Sequence, residues 1–299
     1  MLAPTMQSYA PAGIHVQAPA KVNLYLRVLG TRPDGFHEIR SVAMAVGLFD
    51  DVRLTGAPQG QLRLSCRESG LPRDDRNLVI RAARALAEEA GVRAGVDIEL
   101  HKRVPVAAGL GGGSSDAAAT LRGLNQLWGT RLGDAELVRI GAAIGSDVPL
   151  FFVLPAARMA GRGENVQRAD LRWSGWVLLI FGERPVATAE VYQRWEPTGD
   201  GSTDAREREV VQAPDARAVM AASFNDLEPA VFRVCPEVRT LHERVSSRLD
   251  RRVRVSGAGS TLFTLFDDRE TAGQAVARLS RMGLSTALVG GPSKAMTNL

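Results

Sequence analysis

Pro105-Val-Ala-Ala-Gly-Leu-Gly-Gly-Gly-Ser-Ser-Asp-Ala-Ala118 is the stretch whose reading decides the fold. Four of the five residues from 109 to 113 are glycine. They leave backbone N–H groups uncovered and permit positive φ. Upstream, Val96, Ile98 and Leu100 alternate as a strand. Downstream, Ala117, Leu121, Leu124 and Trp128 fall on one helical stripe. The loop therefore joins a strand to a helix whose positive end faces it. That combination suits phosphate oxygens. Ser114 and Ser115 add hydroxyls at the helix start, able to donate to phosphate or to reach a Mg²⁺. No Lys follows the last glycine, so this is not a Walker A loop. Ser114 stands where a dinucleotide fingerprint needs its final Gly. The bland alternative is a turn that lets a helix pack tightly.

Outward from the loop, Val16–Val28 alternates as a strand. Val22, Leu24, Leu26 and Val28 share one face; Lys21, Asn23, Tyr25 and Arg27 share the other. Thr31–His37 is turn chemistry with Asp34-Gly35 at its tip. Asn77–Ala90 reads as a helix, and another runs from Asp134, as N-cap, to Ile144. The chain then turns through Gly145-Ser-Asp-Val-Pro149 into an apolar run. Trp173–Phe181 opens a second unit. Pro197–Arg217 is polar and aperiodic, which predicts a loop or mobile insertion. Glu237–Leu249 is helical, and Val253–Phe266 reads as a hairpin around Ser256-Gly-Ala-Gly-Ser260. A helix at Thr271–Met282 and a strand at Thr286–Val289 follow. Strands and helices mix without strict alternation, which predicts an α+β fold. The expected division is 1–168, with the Gly-rich loop, and 169–299.

Composition narrows the function classes. The chain has 299 residues, 45% hydrophobic and 23% charged, enough for a sizeable core without staples. A net charge of +4 and 5% aromatic residues do not describe a nucleic-acid binder. Cys66 and Cys235 are the only cysteines, so a disulfide framework and a zinc ribbon are excluded. His15, His37, His101 and His242 are scattered and form no HExxH pair. The first twenty residues carry no Lys or Arg, and no apolar run reaches membrane-spanning length. The expected compartment is the cytoplasm, with no membrane or nucleic-acid partner. Oligomeric state is not legible.

The Gly-rich segment resembles the phosphate-binding motif of the galactose, homoserine, mevalonate and phosphomevalonate (GHMP) kinase superfamily. Ala18-Pro-Ala-Lys-Val-Asn-Leu24 and Arg32-Pro-Asp-Gly-Phe-His-Glu38 narrow the resemblance to its 4-diphosphocytidyl-2-C-methyl-D-erythritol kinases. Gly145-Ser-Asp-Val-Pro149, Gly161-Arg-Gly-Glu164, Asn225-Asp-Leu-Glu228 and Ser256-Gly-Ala-Gly259 are similar to later motifs of that family. The resemblance spans about Ala18 to Val289. It implies a first domain like the second domain of ribosomal protein S5 and a ferredoxin-like second domain. It implies transfer of the γ-phosphoryl of ATP, with Mg²⁺, to the 2-hydroxyl of the cytidyl substrate in the non-mevalonate route to isoprenoid precursors.

Residue by residue, the resemblance gives Lys21 and Asp147 catalytic positions. It gives Asn23, His37, Phe36, Thr188 and Tyr192 to the acceptor. His37 would read the cytosine edge between Phe36 and Tyr192. It gives Asn77, Lys102, Pro105, Val106, Ala107, Ala108, Gly109, Leu110, Gly111, Gly112, Gly113, Ser114 and Ser115 to ATP. No metal ligand is assigned beyond Ser115 as a candidate. Position 36 is Phe where the family more often has Tyr, so a hydroxyl contact is missing.

The residues alone leave more open. Lys21 on an alternating strand is ordinarily a solvated face residue. Asp147 is ordinarily a turn former. If functional, Lys21 steadies developing negative charge, and Asp147 accepts or orients the acceptor proton. Three rival readings are a sister kinase for homoserine or a mevalonate derivative, a catalytically silent nucleotide-binding module, and a dinucleotide-dependent oxidoreductase.

Overall fold

A computed structural model describes residues 13–67, 70–197 and 203–292. Two long antiparallel strands open the fold, β1 (Ile14–Thr31) and β2 (His37–Ala57). At the turn between them Phe36 N–H donates to Asp34 Oδ1 at 3.1 Å, and Gly35 takes φ +83°. An Asp-Gly pair supplies both needs. Then come β3 (Leu62–Cys66), α1 (Leu78–Glu89), β4 (Gly95–His101), α2 (Gly112–Leu127) and α3 (Asp134–Ile144). A 3₁₀ turn, Pro149–Phe152, precedes the hairpin β5 (Ala156–Gly161) and β6 (Asn165–Arg168). The rest of the chain forms β7 (Trp176–Ile180), α4 (Thr188–Gln193), α5 (Thr203–Gln212), α6 (Ala216–Ala222) and β8 (Phe224–Asn225). It closes with α7 (Glu228–Val234), α8 (Pro236–Ser246), β9 (Arg254–Val255), β10 (Leu262–Phe266), α9 (Arg269–Ser280) and β11 (Thr286–Gly290).

One sheet runs β3-β4-β2-β1-β8, with β5 and β6 attached to the His37-proximal half of β2. The other is antiparallel, in the order β11-β7-β10-β9. β1 is covered on both sides, and Ala18 to Leu26 are all buried. Ala18, with Val52 and Leu54 of β2, packs with Leu86 of α1, Leu121 of α2 and Ile140 of α3. Val22 and Leu24 instead join Val177 and Leu179 of β7 and Phe263 of β10. The far side of the second sheet, through Leu178 and Ile180, is covered by Val238 of α8 and Leu279 of α9. Gly123 lets α2 settle on the first sheet, because a Cβ there would lie 2.4 Å from Leu54 Cδ1.

Three expectations need correction. The face of β1 carrying Lys21, Asn23 and Tyr25 is not solvated: they are 4%, 5% and 1% exposed. At Lys21 and Asn23 the Gly109–Gly111 and Gly257 loops close over that face, which a strand's own pattern does not reveal. The α3 N-cap is Gly133, not Asp134. Asp134 is the first helical residue, and Glu136 accepts from the Gly133 N–H at 2.8 Å. Pro197–Arg217 is not a loop throughout. It contains α5 and the start of α6, while 198–202 lie outside the described residues. Val210 and Val211 at the end of α5 enter the core, and Arg158 donates to Glu207 at 2.9 Å. These anchors are tertiary, so the segment's own periodicity is faint. β8 also adds a short parallel strand beside β1, although it follows residue 168.

Candidate active site

The expected strand–loop–helix stands between β4 and α2. Gly111 is the α2 N-cap with φ +69° and supplies no side-chain cap, so the helix start presents bare N–H groups. Both sheets hold the loop. The Lys21 N–H donates to Leu110 O at 2.9 Å and Ser256 Oγ–H to Gly109 O at 2.9 Å. The N–H groups of Thr261 and Val186 donate to Ala108 O and Ala107 O at 3.2 and 3.1 Å. Gly109 takes φ +76°, and a Cβ there would sit 2.0 Å from Ser256 O. Gly109→Ala is therefore expected to destabilise the fold by about 2 kcal/mol or more, from the positive φ and the forced shift. The check is a thermal melt with an ATP titration: the midpoint drops and ATP binding weakens.

Beside the loop, Lys21 is buried and turned inward. Its Nζ donates to Asn23 Oδ1 at 2.5 Å and Gly109 O at 2.9 Å, and lies 3.9 Å from Asp147 Oδ2. Burial lowers the Lys21 ammonium below the usual lysine value, and Asp147 partly offsets it. Asn23 is oriented in turn: its Nδ2 donates to Ser41 Oγ at 2.9 Å, and Ser41 Oγ–H to Tyr25 O at 2.7 Å. Asn225 holds the second glycine loop, with Nδ2 donating to Val255 O and Gly257 O, both at 2.8 Å. Gly257 then lies against the Lys21–Asn23 pair, where a Cβ would be 3.1 Å from Nζ. Asp147 is the open member, its side chain 36% exposed. The β5–β6 turn comes alongside it at Gly163, whose φ of +118° favours glycine.

An aromatic group borders the same cavity. His37 and Tyr192 have ring centroids 5.0 Å apart, and Trp195 meets His37 edge-on at 5.8 Å. Burial lowers His37, so its ring is neutral at pH 7, with one donor and one acceptor. Burial and the nearby Asp147 charge push the Tyr192 hydroxyl up. Phe36 is 47% exposed, and the Arg162 guanidinium sits 4.9 Å over its ring.

A cavity of about 850 Å³ joins these parts. Its lining contains Lys21, Asn23, Phe36, His37, Asn77, Lys102, residues 105–114, Asp147, Thr188 and Tyr192. Ser115 is the exception. It is 1% exposed, lies outside that lining, and its hydroxyl has no partner. Thr188 opens α4. Asn77 caps α1 through Val79 N–H and donates to Pro72 O at 2.9 Å. The Lys102 ammonium pairs with Asp50 and, at 2.7 Å, with Asp116. Sequence reasoning missed Ser41, Trp195 and the role of Arg162. The Gly161-Arg-Gly-Glu turn signalled Arg162; nothing local signalled Ser41, which acts from the neighbouring strand.

The description "GHMP kinases N terminal domain" matches residues 77–154, and "GHMP kinases C terminal" matches 208–284. A 4-diphosphocytidyl-2-C-methyl-D-erythritol kinase of Exiguobacterium sibiricum is 38% identical over 260 residues, 87% of this chain and 91% of its own. One of Pelotomaculum thermopropionicum is 39% identical over 267 residues, 88% of this chain and 93% of its own. A crystal structure of 4-(cytidine 5'-diphospho)-2C-methyl-D-erythritol kinase superposes with a TM-score of 0.78 at 31% identity, covering 93% of this chain and 99% of that one. Homoserine kinase from Cytophaga hutchinsonii shares the fold, with a TM-score of 0.70 at 20% identity. The glycine cradle, the inward lysine and the aromatic pocket thus belong to a recognised lineage: the chain is a GHMP kinase of the 4-diphosphocytidyl-2-C-methyl-D-erythritol kinase family.

Proposed function

We propose that the chain transfers the γ-phosphoryl group of ATP to the 2-hydroxyl of 4-diphosphocytidyl-2-C-methyl-D-erythritol, releasing ADP. The observation that carries this is one cavity holding a bare helix start, the Lys21–Asp147 pair and an aromatic pocket around a neutral histidine. Phosphoryl transfer needs a phosphate cradle, charge stabilisation and a positioned hydroxyl, and each has a candidate there.

The Gly-rich loop and α2 bind the ATP phosphates through backbone N–H groups, with Ser114 adding a hydroxyl. Asn77 borders the nucleotide on the far side, while the Lys102 ammonium is engaged by Asp50 and Asp116. The acceptor base stacks between Phe36 and Tyr192 while His37 meets its polar edge. The acceptor oxygen forms a bond to the γ-phosphorus, and the bond from that phosphorus to the β–γ bridging oxygen breaks. ADP leaves with the electron pair. Asp147 takes the hydroxyl proton and Lys21 stabilises the charge that develops. Asn23 fixes the lysine.

Magnesium fits this donor set as a hard cation held by phosphate oxygens and water, with Ser114 the available protein hydroxyl. Ser115, the earlier candidate, is enclosed. When bound, the ion neutralises charge on the transferring phosphoryl group. Among the described residues no group of three or more His, Cys, Asp or Glu forms a dedicated cage. The domain divide at residue 168 and a cytoplasmic setting complete the reading; two free, buried cysteines support the setting.

An ADP-release assay with Mg·ATP tests it, using the cytidyl substrate, homoserine, mevalonate and no acceptor. Release only with the cytidyl substrate is expected. Release with another acceptor keeps the kinase and removes the base pocket. His37→Ala is expected to raise the KM for the cytidyl substrate about tenfold, the effect of losing one hydrogen bond of about 1.5 kcal/mol, with the KM for ATP unchanged. Equal rises for both substrates would remove His37 from base recognition.

A further inference from the structure

Beneath the phosphate loop lies a buried ionic triad that the chemistry above does not use. Asp50, in β2, is 0% exposed. Its Oδ1 accepts from the Arg103 and Val104 N–H groups at 2.5 and 2.8 Å, and its Oδ2 accepts from Lys102 Nζ. The same Nζ donates to Asp116 Oδ2 at 2.7 Å. Asp116 belongs to α2, five residues past its N-cap. One ammonium thus joins β2, the exit of β4 and the start of α2. It lies against the loop, at the wall of the same cavity that Asp116 also lines: a Cβ on Gly112 would be 3.1 Å from Lys102 Nζ and 3.0 Å from Val104 Cγ1.

The energetics argue that this arrangement is not there for stability. Taking three charges out of water costs much of what their attraction returns, and well-packed apolar replacements are often as stable. The satisfaction is also incomplete, because Asp116 Oδ1 is buried without a partner. What such a triad supplies is a fixed geometry. Two rigid strands are tied, through directional bonds, to the helix whose first N–H groups form the anion site. A displacement of about 1 Å at such groups costs up to about 10²-fold in rate.

We propose that Asp50, Lys102 and Asp116 are positioning residues that set the α2 N-terminus for the ATP phosphates, the Lys102 ammonium acting through the loop rather than on the nucleotide. This rests on the kinase reading above. Burial, and the second carboxylate Asp50, push Asp116 up to about 7 against the pull of Lys102.

The test uses Asp116→Asn, Lys102→Met and the double variant Lys102→Met/Asp116→Leu. Each is measured by thermal melt, by calorimetric titration with ATP, and by steady-state kinetics with the cytidyl substrate. Both single variants are expected to weaken ATP about tenfold and leave the acceptor KM unchanged. The double variant removes both charges, leaves Asp50 on its two backbone donors, and is expected to recover the melting midpoint while keeping the ATP defect. Recovery of both midpoint and ATP affinity makes the triad structural only and overturns the proposal. Equal losses toward ATP and acceptor also overturn it. If the double variant does not fold, Asp116→Asn, nearly isosteric, decides through its ATP-against-acceptor split. Parent enzyme that binds ATP but phosphorylates no acceptor would overturn the kinase reading instead; the titrations would still judge the triad.

Discussion

Asp147→Asn is expected to leave ATP affinity intact and lower kcat with the cytidyl substrate about 10²- to 10⁴-fold, the range for a lost general base. In the proposed reading the ATP phosphates sit on the loop and the start of α2, to which Asp147 does not belong. The fold should hardly notice. The side chain is 36% exposed, and its ion pair with Lys21 spans 3.9 Å, too long for a tight hydrogen bond. Asparagine keeps an oxygen that can orient the acceptor hydroxyl but accepts no proton. The size of the loss therefore separates two roles. A fall beyond about 10²-fold is general-base catalysis. A fall of less than tenfold would make Asp147 an orienting residue. Single-turnover kinetics with ATP pre-bound measure the step directly.

Lys21→Met is the second large effect, with an expected loss of about 10²- to 10³-fold in kcat, typical of removing one donor to developing charge. Methionine retains the apolar stem that packs under Gly111, where a Cβ would lie 2.9 Å from Lys21 Cγ. Gly109 O keeps its bond from Ser256. Asn23 Oδ1 loses its donor, at about 1–3 kcal/mol if it finds no water. Burial, the larger influence, lowers the lysine and Asp147 raises it. The alkaline limb of kcat/KM should accordingly fall below the ordinary lysine value of 10.5. For stability the sign is that of a depressed pKa. The neutral amine is favoured in the fold, so this contribution is present above 10.5 and lost as pH falls through the lowered folded value. Where it is protonated, the buried ammonium is thus a stability cost held for function. Lys21→Met should melt closer to the parent at pH 7 than at pH 10. A rate profile with its alkaline limb at or above 10.5 would contradict the buried lysine.

Much of this is legible in the amino-acid sequence itself. The glycine run at 109–113, flanked by a period-two strand and a helix with apolar residues three and four apart, encodes its local geometry through φ freedom and side-chain spacing. Likewise Lys21 and Asn23, two residues apart on a strand, had to share a face, and their side chains meet at 2.5 Å. The Asp34-Gly35 turn is legible for the same local reason.

Contacts between layers were not. Burial of Lys21 depends on the Ser256–Ser260 loop arriving from more than 230 residues downstream, and Ser41 reaches Asn23 only through the β1–β2 register. The charged segment after residue 202 became helix because the end of α5 finds an apolar surface and Glu207 finds Arg158. The Lys102 ammonium lies under the loop because Asp50 and Asp116 converge there from two distant elements. The sequence by itself determined the glycine loop at a helix start, the paired strand residues and the α+β class, since these follow from backbone freedom and short-range periodicity. Tertiary structure alone decided which polar groups are buried, what faces them and hence how they titrate, since desolvation and charge pairing depend on what the rest of the chain brings to that point.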